Sequence, residues 1–110
     1  RDPLEVNSIY VVDDAKQRKK MTAAFYRSVR REIAEYEERV THLIQSGSQS
    51  PKIMDRWVMR IQGLEEKKRN YENILKRELT DLDEEFTSLR YLSDELRIRA
   101  AGLRVPQKAA

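Results

Sequence analysis

The segment THLIQSGSQSPKIM, residues 41–54, decides the fold, because it sets a turn between two long runs of helical periodicity. Gly47 suits the left-handed conformation that ends a helix, and Ser48, Gln49 and Ser50 continue as a loop. Ser50 followed by Pro51 restarts the helix. The serine hydroxyl accepts from a free N–H of the first turn, and proline needs no donor at the first helical position.

Upstream of this turn, Tyr26, Val29, Ile33, Tyr36, Val40 and Leu43 recur at spacings of three and four, which puts them on one face of a helix. Phe25 and Ile44 widen that stripe. Asp13 or Asp14 offers a cap, so helix 1 is predicted over about 13–46. Residues 1–12, with Pro3 and the run Ile9, Tyr10, Val11 and Val12, have no helical period and read as an extended arm.

Downstream, Trp57, Ile61, Leu64, Tyr71, Leu75, Leu79, Leu82, Phe86, Leu89, Leu96 and Leu103 carry a second stripe. Helix 2 is predicted over about 51–102 after a loop at 47–51, with Gly102 as terminator and residues 105–110 as a flexible tail. Tyr71, Leu75 and Leu79 are spaced by four twice in succession, a stutter that marks a bend or a change of partner. Thr80 with Asp83 and Glu84 resembles a helix start, which would divide helix 2 and give a three-helix spectrin-like bundle. With no Gly, Pro or Asn close to Thr80 to make a turn, the continuous helix is favoured. The expected fold is therefore all-α: an antiparallel helical hairpin of two long, coiled-coil-like helices over 13–104, self-associating into a bundle.

Charge supports that pairing. Folding back at the loop brings residues whose numbers sum to about 98 face to face, which sets Val29 near Tyr71 and Tyr36 near Ile61. Lys16, Arg18, Lys19, Lys20, Arg27, Arg30 and Arg31 form a block without acids, and the facing part of helix 2 holds Glu78, Asp81, Asp83, Glu84 and Glu85. Nearer the loop the signs reverse, with Glu32 and Glu35 set against Lys67 and Lys68. Exposed pairs contribute only about 0.2–1 kcal/mol each, so they select register more than they stabilise.

Helix 2 would overhang helix 1 at about 1.5 Å per residue, leaving Phe86, Leu89, Leu92, Leu96 and Leu103 without cover. A second copy of the chain is the expected cover. Ile53, Met54 and Trp57 form a further apolar cluster by the loop, suited to a partner protein.

The 110 residues are 39% hydrophobic and 37% charged, a balance for solvated helices more than for a large closed core. The lack of cysteine excludes disulfides and thiolate metal sites and fits an intracellular setting, cytoplasmic or nuclear. Beginning at Arg1, the chain reads as a segment of a longer protein. One histidine, His42, and no phosphate loop or catalytic triad argue against an enzyme, and no cofactor, metal or small-molecule substrate is indicated.

The expected function is non-catalytic protein–protein interaction and oligomerisation, as a coiled-coil scaffold or adaptor working as a homodimer or homo-oligomer. The architecture is similar to helical-hairpin modules that bind Rho or Rab GTPases, which implies a small-GTPase adaptor as an alternative. A second alternative is anion binding at Arg18, Lys19, Lys20, Arg27, Arg30 and Arg31. With a net charge of +3, that block is the feature which would meet nucleic acid or an anionic membrane.

Overall fold

A computed structural model describes residues 15–47 and 50–104, and among these residues it is all-helical. Helix α1 spans Ala15–Gln45, α2 spans Pro51–Leu75, a 3-10 turn spans Thr80–Leu82, and α3 spans Asp83–Arg104. The extended arm at 1–12, the caps Asp13 and Asp14, and the tail at 105–110 lie outside the described residues.

The turn read at residues 41–54 forms through the expected groups. Gly47 has φ +66°, and its N–H donates to the Ile44 carbonyl at 3.3 Å, while the Ser46 N–H donates to the His42 carbonyl at 2.8 Å. Ser50 is extended at φ −98°, its hydroxyl accepts from the Ile53 N–H at 3.3 Å, and Pro51 opens α2.

The helix expected at 51–102 is instead two helices. It stops at Leu75 because Lys76 takes the left-handed conformation, φ 52° and ψ 44°, without being glycine or asparagine. The Arg77 N–H then reaches back to the Glu72 carbonyl at 3.1 Å, the long closing bond of a Schellman-type helix end. Glu72 closes the turn from its side chain as well, accepting the Leu79 N–H at 2.8 Å. Leu79 and Leu82, both fully buried, anchor the chain as it reverses. The stutter at Tyr71, Leu75 and Leu79 therefore coincides with a chain reversal and not with a bend in one helix. Gly102 does not terminate its helix, since α3 continues through it to Arg104.

Helix directions follow from the cross-links. Glu32 to Lys67 at 3.5 Å and the Phe25–Tyr71 ring stack at 4.2 Å set α1 antiparallel to α2, in the register expected from charge. Glu65 to Arg90 at 3.3 Å and Asp55 to Arg104 set α3 antiparallel to α2. Arg30 to Glu85 at 3.1 Å and the Tyr26 hydroxyl to Asp81 at 3.3 Å then run α3 parallel to α1. Each helix touches the other two, with α2 and α3 sharing the most extensive contact, and the molecule measures 66 × 24 × 24 Å.

A regular heptad stripe of Phe86, Leu89, Ser93, Leu96 and Ala100 is buried on α3, continuing from Leu82 of the 3-10 turn, and small Ser93 and Ala100 let α2 approach closely. Between α1 and α2 the side chains are bulkier. Tyr71 stacks on Phe25, one turn N-terminal to the expected Val29, and the Trp57 ring meets Tyr36 edge-on at 5.4 Å. Val29, Ile33 and Val40 of the expected α1 stripe are buried, with Phe25 at its centre and Tyr26, Tyr36 and Leu43 packed at its margin.

The seven-residue gap between Leu64 and Tyr71 is filled by Lys68, which is buried in the α2 stripe. Its ammonium donates to Glu72 at 3.2 Å and pairs with Asp83 at 3.1 Å, tying both sides of the α2–α3 turn together. Burial alone would lower its pKa, but the bonds to Asp83 and Glu72 and the charges of these carboxylates outweigh it and raise the pKa above its ordinary value.

Candidate interaction surface

Among the described residues α3 lies against α1 and α2, where a continuous helix 2 was expected to overhang. Phe86, Leu89 and Leu96 are fully buried in the chain's own core, as is Met54, and Leu92 packs at its edge. Four of the eight side chains expected at a partner interface are therefore unavailable unless the core opens. The physical reason is the reversal at Lys76, which gives the second half of the long stripe a partner within the same chain.

The other predicted interface residues come together at the loop end. Asp55 to Arg104 holds the last turn of α3 beside the first turn of α2, and Tyr36 against Trp57 brings α1 to the same place. Ile53 is 39% exposed and Leu103 41% exposed, with Trp57, Leu43 and Ile44 half-buried around them. The Arg60 guanidinium lies over the Trp57 ring at 4.6 Å from its centroid, covering one face. Burial and the Glu32 charge raise the Tyr36 pKa against the opposing charge of Arg60. Three helices thus converge on an apolar end with a charged margin.

The basic block splits. Arg30 pairs with Glu85 and lies over the Tyr26 ring at 5.0 Å from its centroid, and Arg18 is half-buried. Lys19, Lys20, Arg27 and Arg31 are exposed and make no ion pair with a described residue. Of the five acids expected opposite the block, Asp81 accepts from Tyr26, Asp83 pairs with Lys68 and Glu85 pairs with Arg30, while Glu78 and Glu84 are exposed. Burial, followed by the charge and hydrogen bond of Asp81, raises the Tyr26 pKa.

Sequence reading missed the outer face of α3, where Tyr91 and Ile98 are 73% and 71% exposed. They lie seven residues apart and off the buried stripe, a spacing that identifies a second face once the first is assigned. His42 is exposed beside Glu37, Glu38 and Thr41. Among the described residues no group of three potential metal ligands assembles, and no helix is long and apolar enough to cross a membrane.

Residues 1–102 match the model of a family of unknown function, DUF6744, and the chain belongs to that family. No curated protein and no solved structure matches the chain.

Proposed function

We propose that this DUF6744 member is a non-catalytic helical interaction module that closes as a three-helix bundle and associates with protein through its loop end. The supporting observation is the convergence of Ile53, Trp57 and Leu103 from two helices, backed by Leu43 and Ile44 from the third, on an end where part of each apolar side chain stays in water. Trp and large aliphatic side chains in such a setting are the usual anchors of an interface. The partner proposed is a second copy of the chain, since a patch at the end of a rod pairs readily with itself about a two-fold axis. The cysteine-free sequence suits an intracellular setting, cytoplasmic or nuclear.

Magnitude sets the strength. A handful of half-exposed side chains offers far less than the roughly 1,200–2,000 Å² buried in a stable complex, so the copies associate weakly and reversibly. Sedimentation equilibrium should give a monomer–dimer transition with a dissociation constant between about 1 μM and about 1 mM. Ile53→Asp with Leu103→Asp should remain monomeric while keeping its helical circular dichroism. A wild-type chain that is monomeric throughout that range would refute self-association at this end.

A further inference from the structure

We infer that the outer face of α1 binds the phosphate backbone of double-stranded nucleic acid, independently of the loop-end association. Residues 16–31 of the sequence contain seven Lys and Arg and no Asp or Glu. Within it Arg30 engages Glu85, whereas Lys19, Lys20, Arg27 and Arg31 are exposed and make no ion pair with a described residue. Lys20, Arg27 and Arg31 recur at seven and four residues, so they line one side of a helix whose opposite side carries the buried Met21, Phe25, Val29 and Ile33. Lys19, next to Lys20, adds a fourth exposed cation.

Spacing favours an extended polyanion over a single phosphate. Lys20 and Arg31 are separated by eleven residues, about 16 Å along a helix axis, a distance close to the roughly 17 Å of half a turn of duplex. The small side chains Ala23 and Ala24 lie between the cations, in a shallow depression also lined by Lys20, Met21 and Arg27. Nothing bulky there holds a sugar–phosphate backbone away from the helix.

The same face argues against two other anions. Single strands are held by aromatic side chains that stack on bases, and no aromatic residue lies with Lys20, Arg27 and Arg31 on this exposed side. Peripheral membrane helices insert Trp, Phe or Leu beside their cations, whereas the exposed apolar side chains of this stretch are alanines. With no reader of base edges assembled, binding is insensitive to base sequence and strongly sensitive to salt.

The test is fluorescence anisotropy of the full chain with a labelled 20-base-pair duplex at low salt, supported by two triple variants of equal charge change. Four phosphate contacts predict that log K falls with log salt at a slope of about −3 to −4. Lys20→Glu, Arg27→Glu and Arg31→Glu together should weaken binding by about tenfold or more at low salt. Lys52→Glu, Arg56→Glu and Arg69→Glu, on exposed α2 positions, should change it by less than about threefold. Thermal denaturation checks that both variants fold. The inference is overturned by no duplex binding at low salt, by equal loss in the two variants, by tighter binding to the corresponding single strand, or by binding only to phosphatidylserine vesicles.

Discussion

Lys76 is the residue on which the architecture turns. A left-handed backbone costs an ordinary L-residue about 1–2 kcal/mol, and Lys76 bears that cost at φ 52° because the Glu72 carbonyl and carboxylate bind the N–H groups of Arg77 and Leu79. Lys76→Gly should therefore raise stability by about 0.5–1 kcal/mol, the relief of strain being partly offset by a more flexible unfolded chain. Lys76→Pro, locked near φ −65° and lacking the N–H, should cost about 3 kcal/mol or more. Urea denaturation of the two variants measures both, and a destabilising glycine would contradict the left-handed assignment. This residue also explains why the sequence favours a continuous helix across 75–82. The usual markers of a helix end are Gly, Pro and Asn, whereas here the stop signal is a glutamate four residues earlier and two leucines that must be buried after the turn. Two signals point to it: the four-residue spacing of Tyr71, Leu75 and Leu79, and the helix start at Thr80 with Asp83 and Glu84, where the 3-10 turn and α3 begin.

At the level of elements, α2 and α3 are joined by more than apolar packing. Lys68 on α2 meets Asp83 at the start of α3, and Tyr26 of α1 donates to Asp81 beside it. Each of Lys68, Tyr26 and Tyr36 holds its proton more tightly in the folded chain than in the unfolded one. Their stabilising contribution is full below the ordinary values of 10.0 for tyrosine and 10.5 for lysine, and it is lost as pH rises through the higher folded values. The melting temperature should thus fall on raising pH above about 10, and Lys68→Met should make that fall shallower while the two tyrosines preserve part of it. An unchanged slope in the variant would remove Lys68 from the account. The elements themselves were largely legible. α1 ends at Gln45 and α2 starts at Pro51, because Gly47, Ser50 and Pro51 act locally. The acidic cluster at 78–85 was matched to the correct helix but by the wrong geometry, since a parallel α3 and not an antiparallel extension of α2 brings Glu85 to Arg30.

For the whole molecule, reversal at Lys76 exchanges an expected intermolecular core for an internal one. That exchange is why the candidate site was only half legible: the periodicity of Phe86, Leu89 and Leu96 specifies that they are buried but not by which chain. Connections between sequence neighbours also make stability uneven along the rod. By the register with α2, α1 extends past Leu75 at its N-terminal end, where residues 15–20 are mostly exposed, while α2 and α3 are locked by the closest contact in the fold. Amide hydrogen exchange should be fastest among the described helices at residues 16–20, and slowest around Ile61, Leu64, Leu89 and Leu96. Equal protection in the two groups would show that α1 is held along its full length.

The edge-on contact of Tyr36 with Trp57 has an optical consequence. Trp57 is the chain's one tryptophan, and it receives a tyrosine ring from α1 at 5.4 Å while Arg60 of its own helix covers it. Excitation absorbed by Tyr36 passes to Trp57 only while α1 is docked, and the indole emission shifts to the red when the ring meets water. Far-ultraviolet dichroism registers helix content whether or not the helices touch, so the two spectra together separate loss of tertiary docking from loss of helix.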